Sequence, residues 1–225
     1  MEEVLPGFHR LSPVPGVNTY LFDTEGLTLI DAGIGSSAPA ILKAIRDLGR
    51  QPRDLKRIIV THAHPDHYGS LAELKRQTGA RVVMHPIDAK EVRKGGSGRP
   101  MKFRGALSVL NGAMSRPANL EPAEVEDEVE EGDTLPGGLK VIETPGHSDG
   151  HISLLWPEKG LLVVGDAAWH LTRRNYLPFS VDFGGGHRSL RQPTKLDFEV
   201  AVFGHGRPLR NAGAAFRRRF GVTSS

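Results

Sequence analysis

The sequence has 225 residues, 38% of them hydrophobic and 24% charged, with a formal net charge of +3. That length can bury a sizeable core and suits a single domain, and so modest a charge does not single out nucleic acid as a partner. With no cysteine, disulfides are excluded and a metal site has to be built from histidine and carboxylate. The opening Met1-Glu2-Glu3-Val4 is acidic without an apolar run, and no stretch approaches the ~18–20 apolar residues of a membrane span. A cytoplasmic protein without a secretory signal is therefore expected.

Taken in order, Val17 to Phe22 and Leu27 to Ile30 read as a hairpin around the turn Asp23-Thr24-Glu25-Gly26, with Asp31 at its end. Ser36-Ser37-Ala38-Pro39 opens a helix that Gly49 closes, with serine as its cap and proline in its first turn. Arg57-Ile58-Ile59-Val60 reads as a buried strand. It runs into Thr61-His62-Ala63-His64-Pro65-Asp66-His67-Tyr68-Gly69, which places three imidazoles and one carboxylate within six residues. A helix from Ser70 to Arg76 ended by Gly79, a strand Arg81-Val82-Val83-Met84 and a short helix from Pro86 follow. Strand and helix alternate, which predicts an α/β layered fold.

Beyond the flexible Gly95-Gly96-Ser97-Gly98, residues 101–110 are amphipathic at helical spacing. Phe103, Leu107, Leu110 and Met114 serve either as an apolar flap or as packing against the body. The acidic run from Glu121 to Asp133 reads as a solvated connector. Three further strand-like runs each end on a ligand-type residue: Leu139 to Ile142 before Pro145-Gly146-His147, Leu161 to Gly165 before Asp166, and Phe198 to Gly204 before His205. Arg217, Arg218 and Arg219 read as a solvated helix face, while Arg207 and Arg210 follow His205 closely enough to touch an anionic group.

Neutral imidazole binds zinc, iron or manganese well, and carboxylate adds a charged oxygen. His62 and His64 alternate as on an extended segment, so both can turn toward one ion. Asp66 and His67, past the kink at Pro65, can face a second.

His-x-His-x-Asp-His after a strand, with Thr144-Pro145-Gly146-His147, Val164-Gly165-Asp166 and Gly204-His205-Gly206 in that order and Asp31-Ala32-Gly33 upstream, resembles the signature of the metallo-β-lactamase-fold hydrolases, in their glyoxalase II-like and lactonase-like branches. The resemblance implies an αββα four-layer sandwich: two mixed β-sheets with helices outside, the metals at one edge, and residues 1–225 as a single domain. It makes 86–120 a lid or substrate-wall insertion. It assigns His62, His64 and His147 to one metal ion, Asp66, His67 and His205 to a second, and Asp166 to both. Asp31 would support the ligands by hydrogen bonds; His151, four residues past His147, could compete as a ligand or play the same supporting part.

The implied cofactors are two divalent ions, zinc first, with iron or manganese also suited. The implied function is a binuclear hydrolase whose metal-bridging hydroxide, oriented by Asp66 as the catalytic carboxylate, attacks an ester, thioester or lactone carbonyl. A mononuclear iron oxygenase resembling the persulfide dioxygenases and a phosphodiesterase of the same fold are the alternatives. The chain stops soon after Gly204-His205-Gly206, without the helical domain that carries glutathione recognition in glyoxalase II, which argues against a glutathione thioester. Trp169, His170, Tyr176 and Arg207 are candidate contacts for a small-molecule substrate. No membrane or nucleic-acid partner is expected, and a dimer is left open.

Overall fold

The computed structural model describes residues 1–14, 17–23, 25–97, 119–172, 175–177 and 188–221. The proposed flap residues Phe103, Leu107, Leu110 and Met114 lie outside them. Among the described residues the chain divides into two compact units, one of residues 1–97 with 119–129 and one of residues 130–221.

The first unit carries seven strands in sequence order: β1 (Glu2–Leu5), β2 (Phe8–Val14), β3 (Val17–Asp23), β4 (Leu27–Ile30), β5 (Leu55–Ile59), β6 (Arg81–Met84) and β7 (Asp127–Glu128). The first four form an antiparallel meander, and β4 through β7 run parallel. Parallel neighbours need crossovers, and helices supply them: α1 (Ala38–Asp47) between β4 and β5, and α3 (Leu71–Thr78) between β5 and β6. Ile41, Leu42 and Ile45 of α1 and Leu71 and Leu74 of α3 bury one stripe each, in a core with Leu21, Leu29, Ile58 and Val82 of the sheet. The other sheet face holds Phe8 against Tyr20 and Phe22, with ring centroids 5.4 and 5.2 Å apart. Both faces are buried, and β3 accordingly carries apolar side chains on each, Tyr20 and Phe22 on one and Leu21 on the other.

The expected serine cap of α1 takes another form. Ser37 is the N-cap residue but its side chain makes no capping hydrogen bond. Ser70, 33 positions on, accepts from the amides of Ser37 (3.0 Å) and Ala38 (3.1 Å) through its Oγ. A residue brought by tertiary folding thus satisfies the orphan donors that a local cap normally takes.

The acidic connector is also more than a connector. Within it Ala123, Val125 and Val129 are buried, and Asp127–Glu128 pair with Val83 and Met84 as the seventh strand. Alternate positions face the core while the charges between them face outward, so composition hides the strand.

The second unit has a six-stranded sheet in the order β15-β14-β11-β10-β9-β8 and a separate two-stranded ribbon of β12 (Trp169–Thr172) and β13 (Asn175–Leu177). The sheet strands are β8 (Thr134–Leu135), β9 (Leu139–Glu143), β10 (Ile152–Trp156), β11 (Leu161–Val163), β14 (Val200–Val202) and β15 (Leu209–Arg210). Only β11 and β14 are parallel neighbours; the other ladders are antiparallel. A C-terminal helix, α5 (Ala212–Phe220), packs Phe216 against Phe198, Phe203 and Phe220. The chain is thus an α/β protein with two mixed sheets and helices packed on them, as the sequence predicts.

Strand direction places the chemistry. Because β4, β5 and β6 are parallel, Asp31, the segment Thr61–His67 and the segment His85–Asp88 all leave the first sheet at one edge. In the second unit β9 opposes β10, β10 opposes β11, and β11 parallels β14. Hence His147, Asp166 and His205 follow strands that point the same way. Carboxyl ends of parallel strands are where open α/β sheets place their ligands.

Candidate metal centre

In the first unit the site is built around Asp31. Its backbone is left-handed (φ 60°), a costly conformation for a residue other than glycine, and the side chain is buried. One carboxylate oxygen accepts from the amide of Thr61 at 2.8 Å. The other accepts from the Thr61 hydroxyl at 3.0 Å and lies 2.9 Å from His67 Nδ1. A carboxylate can only accept, so His67 carries its proton on Nδ1 and its Nε2 offers a lone pair. The single hydroxyl proton of Thr61 is committed to Asp31, so its oxygen accepts from His62 Nδ1, 3.0 Å away. His62 is thereby held in the same tautomer. One aspartate sets two imidazoles with their Nε2 lone pairs available, an arrangement found behind metal-binding histidines.

His62 and His64 do not lie on an extended segment. The amide of His64 donates to the carbonyl of His62 at 3.1 Å, a γ-turn centred on Ala63. The turn brings His62 Nε2 to 3.1 Å from His64 Nδ1. Asp66 and His67 lie on a short helix, α2 (Pro65–Tyr68), where an Asp66 oxygen is 3.7 Å from His67 Nε2. Asp66 is the more open of the two, with 35% of its side chain exposed. The neighbouring Tyr68 hydroxyl donates to the carbonyl of Gly96; burial, and then the charge of Glu91, push its pKa up to about 12, so it remains a donor at neutral pH.

In the second unit the focus is Asp166, buried at the end of β11. Its Oδ2 lies 3.1 Å from His205 Nε2 and 3.5 Å from His147 Nε2. His151 is fully buried behind it. The amide of Asp166 donates to His151 Nε2 at 2.9 Å, so the His151 proton is on Nδ1, which donates to Thr144 Oγ1 (2.8 Å). Thr144 in turn donates to Ser153 Oγ (2.9 Å) and Ser153 to the carbonyl of Val164 (3.1 Å). Both ring nitrogens are engaged in this chain, which makes His151 a support of the Asp166 backbone and removes it as a competing ligand.

Of the candidate substrate contacts, Trp169 lies against the His205 ring, centroids 4.4 Å apart. His170 is bonded within the fold, its Nδ1 3.0 Å from the carbonyl of Arg207. The Arg207 side chain is exposed. Tyr176 pairs with His170 through the β12–β13 ladder. Sequence reasoning missed Asp88, whose Oδ2 accepts from the amide of Ala63 at 2.8 Å. Nothing in its local sequence, Pro86-Ile87-Asp88-Ala89, marks it apart from any first-turn acid of a helix.

The sequence signature described as the metallo-beta-lactamase superfamily matches residues 13–205. The chain belongs to the metallo-beta-lactamase superfamily. Among relatives of this superfamily chain, the probable metallo-hydrolase YflN of Bacillus subtilis is 27% identical, covering 96% of this chain and 89% of that protein. A hydroxyacylglutathione hydrolase of Cereibacter sphaeroides is 31% identical over 65% of this chain, and the uncharacterized protein YobT of Bacillus subtilis is 33% identical over 67% of it. This chain spans only 49% and 61% of the lengths of those two. Among solved structures, a metallo-beta-lactamase of Cronobacter sakazakii with an HARLDQ motif superposes with a TM-score of 0.69 at 27% identity, covering 90% of this chain and 76% of that one.

Metal ions fit the superfamily residues present here. The donors are imidazoles and carboxylates, the set that suits zinc, iron or manganese. Two nitrogens on one tetrahedral ion with bonds of about 2.0–2.1 Å stand roughly 3.3 Å apart. The 3.1 Å between His62 Nε2 and His64 Nδ1 and the 3.1 and 3.5 Å around Asp166 Oδ2 are of that size. His and Asp groups able to hold metal are therefore present.

Proposed function

We propose that this chain is a binuclear metal-dependent hydrolase acting on the carbonyl of an ester, thioester or lactone in a small-molecule substrate. The observation that carries the reading is the control of tautomer by Asp31, which leaves His62 and His67 with Nε2 lone pairs. His62, His64 and His147 would hold one ion, Asp66, His67 and His205 the other, and Asp166 both. The ions, when bound, supply Lewis acidity toward a substrate oxygen and acidify water to a nucleophile near neutral pH.

The protein's own part is to orient and to move protons. Asp66, the more exposed carboxylate, takes the proton of the attacking water and returns it to the leaving group. His151 fixes the backbone from which Asp166 projects, and Asp31 fixes the rings of His62 and His67. Trp169 walls the site beside His205. The names of the relatives, a metallo-hydrolase and a hydroxyacylglutathione hydrolase, support hydrolysis.

Elemental analysis of protein purified without added metal or chelator, followed by assays on thioester, lactone and phosphodiester panels, tests the proposal. Two zincs per chain with carbonyl hydrolysis is the expected result. A single iron with oxygen consumed on a persulfide would overturn it, as would full activity after His64→Ala.

A further inference from the structure

We propose that Asp88 is a positioning residue for the His62–His64 pair, acting through the backbone of Ala63. The γ-turn that brings the two imidazoles together has Ala63 at its centre, and the Ala63 amide is the donor to Asp88 Oδ2 at 2.8 Å. Asp88 is 2% exposed and Ala63 not at all, so no solvent takes the place of this bond. The Ala63 methyl is part of the core cluster that includes Leu71 and Met84. The turn is thus held by packing on its side-chain side and by a carboxylate on its amide.

Two nearby amides have acceptors of their own: Thr61 donates to Asp31 and His64 to the carbonyl of His62. Asp88 comes from a different element, the first turn of the helix Pro86–Val92 (α4) that follows β6. Two carboxylates from separate elements therefore hold the loop two residues apart, Asp31 at Thr61 and Asp88 at Ala63. Removing the second leaves a buried amide without an acceptor. The peptide joining His62 to Ala63 then loses the tie on its amide side, and the two ring nitrogens lose their common focus. Supporting groups of this kind change metal affinity by about 10–100-fold.

The proposal rests on the reading of His62 and His64 as ligands, and the test separates the two ideas. The full chain is stripped of metal and titrated with zinc against a chromophoric chelator, and hydrogen exchange of the Ala63 amide is measured in the same samples. Asp88→Ala should bind zinc about 10–100-fold more weakly and lose protection at Ala63. Asp88→Asn, which keeps an acceptor oxygen in place and removes the charge, should restore both. If Asp88→Ala does not fold, Asp88→Glu takes its place. It keeps the charge at the start of α4 but displaces the acceptor, and should also bind weakly. Parental affinity in Asp88→Ala or Asp88→Glu overturns the positioning role alone. So does equal weakening in Asp88→Asn, which would assign the effect to charge. Failure of the parent chain to bind zinc overturns the ligand reading and the positioning role with it.

Discussion

At the scale of single residues, Asp31 shows how much one buried carboxylate can determine. The Thr61 amide has no alternative tautomer, so the atom facing it must remain an oxygen. In Asp31→Asn the amide nitrogen is therefore forced into the other position, opposite His67 Nδ1 and the Thr61 hydroxyl. The His67 ring answers by moving its proton to Nε2, which costs little in folding but removes a ligand lone pair. Asp31→Asn should bind about one zinc where the parent binds two, with a loss of stability of only ~1–2 kcal/mol. Elemental analysis and urea unfolding read the two effects, and a variant that keeps both zincs would refute the tautomer argument. The candidate ligands came from the sequence in two ways: residue type and spacing marked the cluster from His62 to His67, and the resemblance added His147, Asp166 and His205. Their supports were legible only in part. Asp31 and His151 could be suspected from resemblance, whereas Asp88 could not, because its partner amide lies 25 residues away and no local pattern encodes that meeting.

At the scale of elements, α2 is seated by a close approach. The chain at Ile34–Gly35 passes so near Gly69 that a Cβ there would meet Gly35 N at 2.5 Å and Ile34 C at 2.7 Å. The Gly69 backbone is ordinary helical (φ −56°), so the demand for glycine is steric and owes nothing to dihedral freedom. Gly69→Ala should destabilise by about 1–3 kcal/mol and shift α2, lowering zinc affinity as well; a melting temperature equal to the parent's would exclude the clash.

The edge pair β6–β7 carries a different signal, one of pH. Arg81 donates to Asp127 at 2.5 and 2.8 Å and holds its carboxyl below the ordinary value. For Glu126 burial pushes the pKa up, but Lys75 and the Val82 amide outweigh it and the net shift is downward. A depressed carboxylate adds stability above its unfolded pKa near 4, and loses it as pH falls through the folded value. Both pairs are substantially solvated, so the gain is small, of order ~1 kcal/mol or less. Asp127→Asn should melt slightly below the parent at pH 7, and the gap should close as pH falls through the folded value; a gap that widens in acid would contradict the sign. This strand escaped sequence reading because its two residues are both acidic and its pairing depends on β6.

At the scale of the whole molecule, the order of the motifs was legible from Asp31 to His205, and with it the α/β class. The number of strands was not, since the hairpin β1–β2 and the two-residue strands β7, β8 and β15 exist only through their partners. The proposed ligands span residues 62 to 205, so they can be assembled only in the folded chain, and an unfolded chain offers no comparable site. Metal that binds the native state alone must then stabilise it by mass action. At a free zinc concentration of 100 times the dissociation constant the gain is about 2.7 kcal/mol. For a chain of this size each kcal/mol is worth roughly 2–4 °C. Metal-stripped protein should therefore melt about 5–10 °C below the zinc-loaded form, with the difference abolished by chelator and restored by zinc. His64→Ala and His205→Ala, changes 141 positions apart, should each shrink that increment while leaving the metal-free melting temperature close to the parent's. Calorimetry of the stripped and reloaded chain makes the comparison. A melting temperature indifferent to zinc would show that these histidines and aspartates do not act together as ligands, whatever the fold.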